Sequence, residues 1–298
     1  MVITDIRCYI CHFPLPAPFR PSWIPSFEQT TNGAVLVRVL TDDGIEGACA
    51  GVAFAGEWKG FAELLKAFLV GRDPFRVEDV VELLRSAKVI GVRPWFVEVA
   101  LWDVIGKACG QPVYRLMGGA RDRVKAYAST GELRHPEEMA ALAQRLVEEG
   151  FRALKIRLRR PDYREDLAAV EAVRIAVGDD IELMVDANQA WKIHGFGDYP
   201  RWDLKTAMTV ARELEAIKVS WLEEPLPMRD FDGLRILRES TSVRISGGEA
   251  NDDLDDFREL LSRGCYDVVQ PDVTFAGGLS IGRKIAAVAE AHHVTYNP

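Results

Sequence analysis

Between Ala153 and Asp272, five short apolar runs each end in charged side chains, and nothing else in the chain constrains its fold as tightly. They are Ala153-Leu154-Lys155-Ile156-Arg157, Leu183-Met184-Val185-Asp186, Trp221-Leu222-Glu223-Glu224, Val243-Arg244-Ile245-Ser246-Gly247-Gly248-Glu249 and Asp267-Val268-Val269-Gln270-Pro271-Asp272. From position 155 the ends follow at 186, 223, 249 and 272, in steps of 31, 37, 26 and 23 residues. Each step has room for one helix and two short loops, so the runs read as successive βα units of a parallel sheet.

When a parallel sheet closes into a barrel, all strand ends point to one face, and residues distant in sequence meet there. Three of these ends are the carboxylates Asp186, Glu223 and Glu249. Gathered at one barrel mouth they repel, and each is driven toward protonation unless a cation sits among them. A set of carboxylate oxygens without His or Cys suits a hard ion, Mg²⁺ above all. Lys155 and Arg157 add positive charge from the neighbouring strand. Taken singly, each residue reads as a helix cap or a solvated charge. Five in register read as a site.

With these residues in place, the chain resembles the enolase superfamily, and within it the mandelate racemase subgroup. The resemblance implies an α/β fold: a modified (β/α)7β TIM-like barrel with an N-terminal α+β capping domain. Lys155-Ile156-Arg157 matches the family's Lys-x-Lys/Arg strand, Asp186, Glu223 and Glu249 match its Mg²⁺ ligands, and Asp272 matches the Asp of an Asp–His pair. A Lys at the position of Asp272 would indicate the muconate-lactonizing and dipeptide-epimerase branch, so Asp272 favours the racemase-like one. The resemblance also implies a homo-oligomer.

The chain has 298 residues and 48% hydrophobic content, enough for a barrel and one small domain. Its net charge of −8 argues against a nucleic-acid partner, and an anionic substrate needs charge focused locally by the metal and Lys155. No apolar run approaches the roughly 20 residues of a membrane span, and no signal layout opens the sequence, which reads as cytoplasmic. Cys8, Cys11, Cys49, Cys109 and Cys265 are scattered, and the lone Cys8-x-x-Cys11 lies in a strand-like segment, so they read as free thiols.

The N-terminal domain is placed at 1–118 and the barrel at 119–298. Met1 to Phe13 reads as a strand. The five prolines from Pro14 to Pro25 exclude a regular element and make 14–32 a loop, read as a lid that carries Trp23. Alternation about Thr41-Asp42-Asp43-Gly44 predicts a hairpin, followed by a second lid loop at 51–59 with Phe54 and Trp58. Substrate contacts are expected from Trp23, Phe54, Trp58 and Asn188. The loop from Trp191 to Tyr199 is long enough to reach substrate, with His194 read as solvent-exposed. Glu224, next to Glu223, is expected to face the other way.

At the end of the sequence, Val294-Thr295-Tyr296-Asn297-Pro298 reads as a seventh strand. The resemblance puts a catalytic His at that strand end, just past Pro298, with the last strand beyond it, so the barrel is expected to lack its C-terminal end. The expected chemistry is abstraction of the proton α to a carboxylate, giving an enediolate that Mg²⁺ and Lys155 stabilise. Arg157 is a poor base, because guanidinium holds its proton above about pH 12. With one base, dehydration of an acid sugar (an aldonate or aldarate) to a 2-keto-3-deoxy acid is favoured. A racemase or epimerase of a 2-hydroxy acid, and a truncated non-catalytic paralogue, are the rival readings.

Overall fold

The computed structural model describes residues 1–52, 58–90, 95–193 and 199–298. Three strands open the chain: β1 (Ile3–Phe19), β2 (Gln29–Thr41) and β3 (Glu46–Val52), forming an antiparallel sheet in that order. The expected hairpin turns at 42–45, where Thr41 and Ile45 close it backbone to backbone. Helices α1 (Trp58–Leu69), α2 (Val77–Ala87) and α3 (Trp95–Ala108) follow, and short α4 (Val113–Leu116) leads out. Val35, Val37 and Val39 alternate onto one face of β2 and pack with Leu65, Leu84 and Val104 into one core.

The strand expected to stop at Phe13 continues through Pro14, Pro16 and Pro18 to Phe19, which corrects the loop reading of 14–19. Backbone N–H groups alternate between the two edges of a strand, so prolines two apart remove donors from one edge only. β1 is the outer strand of its sheet, and its pairing with β2 is irregular between Pro14 and Phe19, so Pro16 and Pro18 have no ladder partner on β2 to lose. The long β1–β2 ribbon carries 20–28 as its tip.

Seven parallel strands make the second sheet: β4 (Ala128–Ser129), β5 (Ala153–Arg157), β6 (Glu182–Asp186), β7 (Trp221–Glu223), β8 (Arg244–Gly247), β9 (Val268–Val269) and β10 (Thr295–Tyr296). They are bonded in sequence order from β4 to β10, a curled sheet with those two at its edges. The crossovers are α5 (Pro136–Glu148), α6 (Tyr163–Val177), α7 (Leu204–Ala216), α8 (Phe231–Glu239), α9 (Asp253–Ser262), then α10 (Val273–Ala276) with α11 (Gly278–Ala291). Asp162 and Asp203 start α6 and α7 by accepting backbone N–H groups of Arg164 and Thr206. Leu154, Ile156, Leu183, Val185, Leu222 and Ile245 are fully buried, as strands covered on both faces require.

The two parts are clamped by charge as well as by packing. Arg85 reaches Asp253 at 3.0 Å, Lys88 reaches Asp252 at 2.9 Å and Lys284 reaches Glu78 at 2.6 Å. None of the described helices is long and apolar enough to cross a membrane. The five cysteines are unbridged.

Candidate active site

Strand register brings the charged ends together. Arg157 pairs with Asp186, Asp186 with Glu223, and Glu223 with Ser246, so one rung at the C-terminal edge of the sheet carries three of the expected residues. Lys155 lies two residues below Arg157 and points to the same face of β5. Its ammonium donates to both oxygens of Glu223 at 2.8 Å, lies 3.8 Å from Asp186 and sits 5.5 Å over the Tyr127 ring. Arg157 pairs with Asp186 and donates to the Thr130 carbonyl at 2.7 Å and the Ser129 hydroxyl at 3.0 Å.

These side chains perturb one another strongly. Burial raises the Glu223 carboxyl, the charge of Asp186 raises it further, and Lys155 pulls it back, leaving it at about 7. Burial alone lowers Lys155, but Glu223 and Asp186 together overcome it, so the ammonium holds its proton more tightly than usual. Glu249, two residues beyond β8, is raised by desolvation and by Asp186.

Lys155, Arg157, Glu223, Glu249 and Asp272 all line one cavity of about 320 Å³ at this end of the sheet. Asp272 also accepts from the Thr274 backbone N–H at 2.7 Å and hydroxyl at 2.6 Å, so it caps α10 while facing the cavity. Asn188 and Trp23 do not line it. Asn188 accepts from the Ser22 hydroxyl at 3.2 Å and Trp23 stacks 5.2 Å from the Arg157 guanidinium, so both hold the ribbon tip over the strand ends. The tip is further fixed by the Ser22 N–H to the Gly131 carbonyl at 2.9 Å, and by the Arg20 N–H to Glu132 at 3.0 Å. Phe19 occupies the space that a β-carbon at Gly131 would need, 2.6 Å away. Phe54, His194 and the Trp58 side chain lie outside the described residues.

Three cavity residues gave no sequence signal. Gln270 donates to Glu223 at 3.0 Å, Tyr127 faces Lys155, and Ser129 holds Arg157. Gln270 and Ser129 were marked only by a strand-end position, and Tyr127, just before β4, by nothing. Glu224, unlike Glu223, does not line the cavity: it falls just past β7 with φ of 47° and is buried, both oxygens without a hydrogen-bond partner among the described residues. Burial, then the charges of Asp186, Glu223 and Glu249, push its carboxyl well above the usual range.

The donor set fits a hard cation. Three carboxylates face two cations, Lys155 and Arg157, and the group nearest neutrality is one of the three, which marks a shortage of positive charge. Among the described residues these carboxylates do not converge on one point, because Asp186 and Glu223 are engaged by Arg157 and Lys155.

A curled parallel sheet with acidic strand ends, a buried lysine among them and a second domain beside the mouth defines a class: barrel enzymes whose site is built at the C-terminal ends of the strands. The amino-acid sequence matches the mandelate racemase/muconate lactonizing enzyme N-terminal domain over residues 9–118 and the enolase C-terminal domain-like model over 138–298. The chain belongs to the mandelate racemase/muconate lactonizing enzyme family of the enolase superfamily. It is 38% identical to a 3,6-anhydro-alpha-L-galactonate cycloisomerase of Streptomyces coelicolor, across 98% of this chain and 81% of that one. A racemase structure from Streptomyces coelicolor with bound magnesium superposes with a TM-score of 0.87 at 29% identity, over 99% of this chain and 82% of the other. The L-talarate dehydratase of a Polaromonas species, complexed with Mg and L-glucarate, gives 0.86 at 28% identity, over 99% and 80%.

Proposed function

We propose that this protein abstracts the proton α to the carboxylate of an acid sugar and eliminates water, giving a 2-keto-3-deoxy acid. One observation carries the choice of elimination: Lys155 is held as an ammonium by Glu223 and Asp186. A residue so held supplies positive charge to a developing enediolate and is not free to take a proton. Arg157 beside it is a cation as well, so the Lys155 wall offers no base, and inversion at the α-carbon needs a base on each face. The proton then passes to a base on the opposite wall, beside Asp272 where it meets the end of β10 at Asn297 and Pro298. That base in its protonated form gives the proton to the departing β-hydroxyl, which leaves as water.

In this reading Asp186, Glu223 and Glu249 would hold Mg²⁺ while Lys155 stays an ammonium beside Glu223 and Asp186. The bound ion supplies Lewis-acid stabilisation of the substrate carboxylate and of the enediolate charge. Gln270 keeps Glu223 oriented through its 3.0 Å hydrogen bond. Trp23 and Ser22 seat the ribbon tip over the mouth and exclude water from it. Support comes from the dehydratase likeness with its magnesium and glucarate.

The test is to incubate the full natural protein and Mg²⁺ with a panel of aldonates and aldarates in D₂O. A 2-keto-3-deoxy product bearing solvent deuterium supports the reading. Deuterium at the α-carbon with every hydroxyl retained would replace it with racemisation or epimerisation, and no exchange with any substrate would remove the catalytic reading.

A further inference from the structure

Glu98 is a buried acid among the apolar residues of the first turns of α3. Its partners lie far along the chain. One oxygen accepts the Leu279 backbone N–H at 2.8 Å; the other accepts the Ser280 N–H at 3.0 Å, the Ser280 hydroxyl at 2.5 Å and the Trp102 indole N–H at 2.9 Å. Trp102 also donates to the Ser280 hydroxyl at 3.0 Å. A carboxylate of the N-terminal domain thus caps the first turn of α11, in the barrel, where orphan N–H groups and the helix dipole favour negative charge. Gly278 permits this approach, since a β-carbon there would lie 2.2 Å from the Glu98 oxygen.

Six residues before Gly278 stands Asp272, on the cavity wall. Its carboxylate is fixed to α10 through Thr274, but α10 connects to α11 only through Gly277 and Gly278, whose φ angles are 129° and 83°. Two successive glycines in that region form a joint with little resistance of its own. Glu98 clamps the far side of the joint, and α3 also packs against α10.

We propose that Glu98 is a positioning residue for Asp272: it fixes the glycine joint and so holds the α10 segment, with its capped aspartate, at the cavity wall. The clamp is a geometric claim, and only its effect on turnover rests on the proposed reaction.

Amide hydrogen exchange and steady-state kinetics on the full protein test it, with the variants Glu98→Ala, Glu98→Gln and the milder Ser280→Ala. In Glu98→Ala the amides of Leu279 and Ser280 should lose protection together with that of Thr274, the amide Asp272 holds, while β5 to β7 keep theirs. Turnover should fall roughly 10- to 100-fold with KM little changed, as a displaced group far from the mutation allows. Glu98→Gln retains an acceptor oxygen and should recover part of both readouts, and Ser280→Ala should fall between. If Leu279 and Ser280 lose protection while Thr274 keeps its own, the clamp does not reach Asp272 and the proposal is overturned, whether or not a substrate has been found. Loss of Thr274 protection without any turnover in the unmodified protein would instead count against the proposed reaction alone.

Discussion

The Lys155 ammonium stands 2.8 Å from each oxygen of Glu223, one buried cation closing on a carboxylate that burial and Asp186 raise to about 7. Neither residue is stable there without the other, because a lone buried charge has lost its water and gained nothing in return.

Lys155→Ala therefore leaves Glu223 without its cation, beside an Asp186 that keeps Arg157 as its partner. Without metal, the variant should be less stable by about 3–5 kcal/mol, the usual cost of removing one partner of a buried ion pair. Added Mg²⁺ should restore more stability to it than to the unmodified protein. Turnover should fall roughly 100- to 1000-fold, as when a preorganised charge at a developing anion is removed. Thermal unfolding with and without Mg²⁺ checks the first two points, and an unchanged metal-free melting temperature would count against the pair.

Metal binding has its own readout. An ion that binds the folded chain alone should stabilise it by about 2.7 kcal/mol at a hundred times its Kd. Glu249→Gln removes one proposed ligand from the cavity rim without touching the Lys155–Glu223 pair. Its Mg²⁺-dependent gain should shrink or vanish while its metal-free melting temperature stays near that of the parent. Equal gains in both proteins would take Glu249 out of the ligand set.

Much of this site was legible because charge at the end of an apolar run is rare, and β5, β6 and β7 are buried enough to show the contrast. The same logic passed over Gln270 and Tyr127, which carry no charge and act through geometry that strand spacing does not encode. Pro14, Pro16 and Pro18 read as breakers because a proline count cannot see that they fall on an edge strand, where its pairing with β2 is interrupted. Glu98 stands among apolar residues at the start of α3, but its partners Leu279 and Ser280 lie 181 and 182 positions away. Asp272 satisfies two readings at once, helix cap and cavity wall, which no local pattern can separate.

The ribbon tip gives a prediction that separates binding from chemistry. Trp23 touches Arg157 through its ring face at 5.2 Å, a contact worth about 0.5–2 kcal/mol. Trp23→Ala should loosen the tip and raise KM roughly 2- to 30-fold, at about 1.4 kcal/mol per tenfold. The turnover number should change far less, since Trp23 does not line the cavity. A fall in turnover with KM unchanged would place Trp23 in the chemistry instead.

Asp166 provides a pH test away from the cavity. It is fully buried and accepts from the Arg160 backbone N–H at 2.8 Å and guanidinium at 2.6 Å. Burial prevails over Arg160 and lifts its carboxyl from 3.8 to about 6. Between those values the folded chain binds a proton that the unfolded chain has released. The group thus favours folding in full below about pH 4, and this contribution is lost as the pH rises through about 6, an effect on the order of 3 kcal/mol. Asp166→Asn cannot titrate, so the stability of the parent relative to this variant should decline by that order from pH 4 to 7 and then level off. Urea unfolding of both proteins across the range measures it. A relative stability that rises with pH would show that the Arg160 pair, and not burial, sets the ionisation of Asp166.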